Sequence, residues 1–209
     1  ACKTWESRDS SRSRAARSAL SDARALFEKA LDVLKSLPES QDTIEQAFEI
    51  RVELRSVLRQ FGEVRQMLDN IREAEVLAER LKDDRRRGRV FAMMTTPLAT
   101  IDELDEAVVT GTRAVEIAQR VGDLSLGVIA KSCLGEAYYY RGEYEQVVEI
   151  AIESLAALPT EWDQEFLGLA LPPSVFSRAC LIMSLAELGR FAEAAKYKAE
   201  AIRIADHTQ

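Results

Sequence analysis

The residue types that most often carry catalysis or bind metals are scarce in this chain of 209 residues. It contains one histidine, His207, and three cysteines that stand far apart, Cys2, Cys133 and Cys180. No C-x-x-C pair is present, so the spacing predicts neither a zinc site nor a disulfide framework. A histidine two residues from the C-terminus is more typical of a helix end than of a general base. We therefore expect no metal, no cofactor and no enzymatic activity.

The nearest approach to a phosphate-binding loop is the segment 122–127, GDLSLG. A P-loop continues with Lys and then Ser or Thr after its second glycine, whereas Val128 and Ile129 follow here. The segment is better interpreted as a turn between two helices, with Asp123 or Ser125 capping the second one.

Positive charge is concentrated at one place, in Arg85, Arg86, Arg87 and Arg89. Asp83 and Asp84 precede this basic cluster and offset part of its field. Such a short run is either a solvated helix face, which we favour, or a contact for phosphates or an acidic partner. The whole chain has a net charge of −7 and a pI near 5.0, which predicts that it does not bind nucleic acid.

The elements that must position these side chains are helices. From about Arg14 onward, apolar residues recur every three or four positions, as in the stripe from Leu26 to Leu37. Only 9 Gly and 5 Pro interrupt the chain, so the links between helices are short. No stretch approaches the roughly 18 apolar residues of a membrane span, and we expect a cytoplasmic protein that does not bind membranes.

A repeated unit is visible in the sequence. The segment 134–144, LGEAYYYRGEY, resembles the L-G-x-x-Y core of a tetratricopeptide repeat, with Gly142 at its turn and Pro159 closing the unit. Equivalent turns fall near Ser18, Gly62, Asp102 and Gly189, which gives a spacing of 40 to 47 residues. Pro97 interrupts one unit, so we expect a kink or an early stop near Thr96.

We therefore predict an all-α, right-handed superhelix (an α-solenoid) of about five tetratricopeptide-like helical hairpins. The lead-in 1–13 is expected to be flexible and basic. The hairpins are expected at residues 14–38, 41–81, 84–121, 123–159 and 174–207, with an insertion at 160–173 and residues 14–209 forming one domain.

Several runs are similar to the tetratricopeptide tail of large bacterial proteins that carry a class III nucleotide cyclase domain and an ATPase domain. They are SLPESQDT over 36–43, LGEAY over 134–138, PSVFSR over 173–178 and SLAELG over 184–189. The resemblance implies a regulatory or assembly region of a larger bacterial signalling protein. Cyclase and ATPase activities would then lie in parts of that protein absent from this chain, because no catalytic motif of either is found in it.

A solenoid of this type binds partners on the surface formed by the first helices of its hairpins. The positions expected to line that groove are apolar, aromatic or sulfur-containing: Met93, Met94, Ser132, Glu136, Tyr139, Tyr140, Phe176 and Met183. They lack the Lys, Arg and Asn of a carboxylate clamp. The pattern favours a partner helix, a hydrophobic peptide or a second copy of the chain; the alternative is a sensor that holds a small apolar molecule. For Cys133 and Cys180 we favour core packing.

The insertion contains Trp162 and Phe166, which are too apolar for a solvated loop. It either closes over the groove as a lid or fills space between units as a plug, and we favour the plug.

Overall fold

A computed structural model describes residues 3–167 and 171–206, with side chains described for 17–167 and 171–204. These ranges contain helices and no strand, which confirms the all-α prediction. The helices are α1 (Lys3–Ser36), α2 (Gln41–Phe61), α3 (Val64–Leu81), α4 (Asp84–Thr100), α5 (Leu104–Val121), α6 (Leu124–Arg141), α7 (Tyr144–Ala157), a 3-10 turn (Thr160–Trp162), α8 (Pro173–Glu187) and α9 (Phe191–Asp206). Cys2 and His207 lie outside the described residues.

The chain forms two compact units, Ala1–Lys82 and Asp83–Gln209. In the N-terminal unit, α2 pairs with α3, and α1 packs against α2. The C-terminal unit contains the hairpins α4/α5, α6/α7 and α8/α9. The first helices of these hairpins are neighbours, since α6 contacts both α4 and α8. This is the arrangement expected of stacked helical hairpins.

Four of the five predicted turn positions are turns. Gly62, Gly142 and Gly189 have φ values of 71°, 79° and 72°, and Asp102 has a φ of 68°. Glycine takes this left-handed conformation without a steric penalty, and aspartate tolerates it better than most residues. The sequence therefore located the ends of the first helices correctly in four hairpins.

The prediction of a turn near Ser18 is wrong, because Ser18 lies inside α1. The segment 14–38 is occupied by one helix rather than by a hairpin, and the lead-in expected to be flexible is helical from Lys3 onward. The physical reason is composition, since the first 36 residues contain neither glycine nor proline and are rich in Ala, Arg and Leu.

Pro97 does not stop its helix, so the early stop, one of the two outcomes expected near Thr96, is wrong, whereas the kink stays a prediction. Helix α4 continues to Thr100, and Pro97 is buried within it. Proline removes one backbone donor, but only three residues of helix follow it. The Thr100 hydroxyl donates to the Pro97 carbonyl at 2.8 Å, which satisfies one of the acceptors near the helix end.

The turn at residues 122–127 has the geometry of a helix cap. Gly122 ends α5 with a φ of 67°, and the Asp123 carboxylate accepts a hydrogen bond from the backbone N–H of Leu126 at 3.0 Å. Asp123 is therefore the N-cap of α6, one of the two capping residues that the sequence predicted, and the segment is an interhelical turn.

A similar ion pair recurs at the turn end of the C-terminal unit. Arg141 ends α6 and reaches Asp105, the second residue of α5, at 3.2 Å. Arg190 follows α8 and reaches Glu145, the second residue of α7, at 3.1 Å. In both cases an arginine at the end of a first helix contacts the start of the preceding second helix. We refer to these two pairs as the turn-end pairs.

Candidate functional site

The first helices of the C-terminal unit share a face that carries most of the predicted groove residues. Thr96 of α4 contacts Glu136 of α6, and Ser132 of α6 lies 3.5 Å from Ser177 of α8 through their hydroxyl oxygens. The three helices are thus neighbours along this face. Side chains spaced three, four and seven positions apart lie on one side of a helix, so residues at these spacings from Thr96 and Glu136 lie on the same face. We call this surface the α4–α6–α8 face, and it comprises Met93, Thr96, Glu136, Tyr139, Tyr140, Phe176 and Met183.

The exposed part of this face is apolar and aromatic. Tyr140 is 51% exposed and Met183 is 43% exposed. Met93, Tyr139 and Phe176 are half-buried. Large apolar side chains that stay in contact with water on one continuous surface are the usual mark of a place where another molecule binds.

Two residues predicted to line the groove do not reach its surface. Met94 and Ser132 are 3% and 4% exposed. Met94 follows Met93 directly and points about 100° away from it, and its low exposure places it on the packed side of α4. The Ser132 hydroxyl donates to the Val128 carbonyl at 2.9 Å, a bond within its own helix. These two side chains belong to the packing between helices.

The tyrosines form a connected aromatic cluster. The ring centroids of Tyr139 and Tyr140 are 6.3 Å apart with an interplanar angle of 77°, and those of Tyr139 and Tyr144 are 5.5 Å apart at 59°. Edge-to-face and tilted contacts of this kind limit the rotation of the rings and leave ring faces open to another molecule. The cluster is therefore a preorganised apolar surface with phenolic hydroxyls at its edge.

Glu136 lies on the same face and is half-buried. The Thr96 hydroxyl donates to its Oε2 at 2.6 Å. Burial raises the pKa of the Glu136 carboxyl above its ordinary value, and the hydrogen bond from Thr96 only partly opposes that shift. Among the residues that the structure describes, no basic side chain pairs with this carboxylate.

A second acid lies close to the tyrosines. Partial burial raises the pKa of the Tyr139 phenol, and the negative charge of Glu187, at the end of α8, raises it further. Glu187 is exposed, so water screens its charge more strongly than that of Glu136. The face thus combines an apolar, aromatic surface with two carboxylates.

The two cysteines near this face are packing residues, as predicted. Cys133 and Cys180 are 7% and 6% exposed, and neither forms a disulfide. Burial raises the pKa of the Cys180 thiol to about 12, with a smaller contribution from the charge of Glu136. A thiol in this state is protonated at neutral pH and does not act as a nucleophile.

The basic cluster is largely neutralised by acids within the C-terminal unit. Arg85 contacts Asp123 at 2.8 Å, Arg86 contacts Asp83 at 2.9 Å and Arg87 contacts Asp84 at 3.1 Å. Asp84 also accepts a hydrogen bond from Arg120 at 2.9 Å. These pairs favour the interpretation of the cluster as a helix start held to its neighbours.

The insertion is described in part. Trp162 is half-buried in the 3-10 turn, and Phe166 is 46% exposed. The Ser174 hydroxyl donates to the Asp163 carbonyl, which ties the segment to the start of α8. Residues 168–170 lie outside the described residues. Whether the insertion is a lid or a plug stays a prediction.

A polar cluster in the N-terminal unit escaped sequence reasoning. Arg51 is 9% exposed; its Nη1 donates to Asn70 Oδ1 at 3.1 Å, and Asn70 Nδ2 donates to the Arg51 carbonyl at 2.7 Å. Arg51 also pairs with Glu73 and lines a cavity of about 410 Å³ between α1, α2 and α3. No sequence signal distinguishes Arg51 from the surface arginines of α2.

Solved structures with similar folds are found over most of the chain. BtubC (BKLC) from P. vanneervenii matches with a TM-score of 0.74 and 16% identity over 93% of this chain and 76% of that chain. A putative kinesin light chain from P. anserina, with nearly identical TPR-like repeats, matches with a TM-score of 0.67 and 16% identity. This match covers 94% of this chain and 92% of that chain. The fold is that of tetratricopeptide-like helical repeats.

A third similar structure is a Rap protein complexed with Competence and Sporulation Factor. The match has a TM-score of 0.71 and 15% sequence identity. It covers 91% of this chain but only 50% of the Rap chain. At 15–16% identity these likenesses establish the fold. No protein-family model matches the chain, and a search of curated proteins found no match.

The fold places no other obvious chemistry in the described ranges. None of their helices is both long enough and apolar enough to cross a membrane. Within the same ranges, no group of three or more His, Cys, Asp or Glu residues is arranged to hold a metal ion.

Proposed function

We propose that this chain is a non-enzymatic protein-interaction module and that its C-terminal unit binds a partner segment on the α4–α6–α8 face. The observation that carries the proposal is the exposure of Tyr140 and Met183 beside half-buried Met93, Tyr139 and Phe176. Unbranched methionines adapt to different apolar shapes, and tyrosines offer rigid contact area with a polar tip. This combination suits an apolar peptide or one face of a helix.

The similar structures support binding as the role of this fold. Rap, in the structure named above, is complexed with Competence and Sporulation Factor. The α4–α6–α8 face is built from the first helices of three successive hairpins, the part of stacked helical repeats that commonly presents a binding surface.

The cellular context of the module is a further part of the proposal. The runs over 36–43, 134–138 and 173–178 resemble the tetratricopeptide tail of bacterial cyclase–ATPase proteins, which supports a regulatory or assembly role in a cytoplasmic signalling protein. The test is the genomic reading frame. A frame that continues upstream into a cyclase-like or ATPase-like domain supports this context, and a frame without one contradicts it.

Binding is tested by selection from a phage-displayed library of random 16-residue peptides. The strongest binder is labelled with fluorescein, and its Kd is measured by fluorescence anisotropy. Tyr139→Ala combined with Tyr140→Ala is expected to weaken binding at least about 30-fold, because truncation of a central aromatic contact typically costs about 2 kcal/mol or more.

The matched control is Phe191→Ala combined with Ile202→Ala. Both residues are exposed on α9, at 68% and 49%, and lie outside the α4–α6–α8 face. The control is expected to bind like the wild type. If the tyrosine variant also binds like the wild type, or if the library yields no binder, the face is not a peptide site. A thermal shift with small apolar molecules but no peptide binding would instead favour the sensor alternative.

A further inference from the structure

The charge at the centre of the α4–α6–α8 face is unbalanced. The Glu136 carboxylate is partly removed from water, and its described hydrogen-bond donor is the neutral Thr96 hydroxyl at 2.6 Å. A buried carboxylate is normally paired with a cation, because removing an isolated charge from water is costly. No basic side chain that the structure describes in this unit pairs with the charge of Glu136.

Six of the seven basic side chains of the same three helices pair with other acids, and the seventh, Arg89, also has an interaction within the chain. In α4, Arg85, Arg86 and Arg87 pair with Asp123, Asp83 and Asp84. In α6, Lys131 pairs with Glu153 at 2.9 Å, and Arg141 pairs with Glu143 and Asp105. In α8, Arg178 pairs with Glu200 at 2.9 Å.

These pairs direct basic side chains toward α5, α7, α9 and the turns, away from Glu136. Glu187 adds a second negative charge near Tyr139. The face is therefore apolar and negative, and the ligand that complements it is apolar and positive. An anionic segment, such as a peptide C-terminus, would be repelled, in keeping with the absence of a carboxylate clamp from the predicted groove positions.

We propose that the partner segment carries a lysine or arginine that pairs with Glu136, flanked by apolar side chains that pack on Tyr139, Tyr140, Phe176 and Met183. This inference rests on the proposed function and adds to it the chemistry of the partner. The apolar contacts supply most of the binding energy, and the cation fixes the register of the segment on the face.

A purely structural role for Glu136 predicts a different outcome. In that case the carboxylate serves only to accept the Thr96 hydrogen bond and hold α4 to α6. Glutamine keeps an oxygen that can accept the same bond and removes the charge. Glu136→Gln therefore separates the two roles, and circular dichroism establishes that the variant is folded.

The experiment uses three fluorescein-labelled peptides of 12 residues in a helix-forming background of Leu, Ala and Gln. They differ only at one central position, which is Lys, norleucine or Glu. Wild-type protein is expected to bind the Lys peptide about ten times more tightly than the norleucine peptide and to bind the Glu peptide most weakly. Glu136→Gln is expected to bind the Lys and norleucine peptides equally. Glu149→Gln, which changes an exposed carboxylate on α7, is the matched control and should keep the wild-type preference.

The outcomes separate the inference from the proposed function. If wild-type protein binds the Lys and norleucine peptides equally, or if Glu136→Gln keeps the preference for Lys, the cation-binding role of Glu136 is wrong. The face then still stands as a binding site if Tyr139→Ala with Tyr140→Ala weakens all three peptides. If that tyrosine variant changes none of the three affinities, the proposed function fails as well. If wild-type protein binds none of the three peptides, the inferred chemistry of the partner is wrong, and the library selection decides the proposed function.

Discussion

Gly88, in the middle of the basic cluster, is predicted to be a packing residue rather than a part of a charged site. It is buried in α4 where that helix meets α5 and α6. A Cβ atom added at Gly88 would lie 2.6 Å from Leu126 Cδ2 and 2.9 Å from Ile117 Cγ2. Leu126 and Ile117 are themselves 3% and 5% exposed, so they have little room to move away.

The expected cost of Gly88→Ala follows from two opposing effects. Forcing an extra methyl group into a packed interface costs about 1–3 kcal/mol. Alanine also gains about 0.5–1 kcal/mol over glycine in a helix interior. The net expectation is a loss of about 0–2.5 kcal/mol in the free energy of unfolding.

Gly127 provides the matched control in α6. A Cβ atom there would have Ala118 Cβ as its near neighbour at 3.8 Å, an ordinary contact distance. Gly127→Ala therefore keeps the gain in helix propensity without the clash, and it is expected to stabilise the protein by about 0.5–1 kcal/mol. The two substitutions are chemically identical and are expected to have opposite signs.

Urea unfolding followed by circular dichroism at 222 nm measures both variants, with the slope of each transition compared as well as its midpoint. A Gly88→Ala variant as stable as Gly127→Ala would refute the packing distances on which the prediction rests. It would mean that α4 lies farther from α5 and α6 than described. Because α4 also carries Thr96, a shift of this helix should weaken the contact between Thr96 and Glu136.

Two further predictions concern titratable groups. Burial raises the pKa of Glu136 in the folded state above its ordinary value of 4.5. The ionised Glu136 therefore destabilises the folded protein at pH values above this raised pKa, and the destabilisation is lost as the pH falls and the carboxyl becomes protonated. Glu136→Gln should therefore have a higher Tm than the wild type at pH 7 and a similar Tm near pH 4; a constant difference would contradict the assignment. Burial raises the pKa of the Cys180 thiol to about 12, so this thiol should react with DTNB at pH 7 far more slowly in the folded protein than in urea. The measurement uses a Cys2→Ser, Cys133→Ala background, in which Cys180 is the remaining thiol, and rapid labelling of the folded protein would show that Cys180 is accessible.

The sequence predicted four of the hairpin turns, but not the contacts within the α4–α6–α8 face. Glycine or aspartate at Gly62, Asp102 and Gly142 marked the turns because these residues tolerate left-handed backbone. The turn predicted near Ser18 does not exist. The repeat spacing predicts a turn there, but the local composition of this segment favours a continuous helix.

The burial of Met94 and Ser132 was missed for a different reason. Periodicity assigns a residue to one side of a helix, but the boundary between the solvent-exposed and packed parts of that side depends on how closely the next helix approaches. The same limit applies to Glu136. Among the described side chains Glu136 has no basic partner, because Arg141 and Arg178 pair with carboxylates on other helices, and such contacts between helices are not visible in the sequence.

The turn-end pairs bear on how an array of this kind can change length during evolution. Each pair joins the end of the first helix of one hairpin to the start of the second helix of the preceding hairpin, as Arg141 reaches Asp105 and Arg190 reaches Glu145. A hairpin therefore contributes an acid that pairs with the following hairpin and an arginine that pairs with the preceding hairpin. Duplication of one hairpin would supply both halves of the new contact without any further substitution. The number of hairpins can then change by whole units while the junctions between them stay the same.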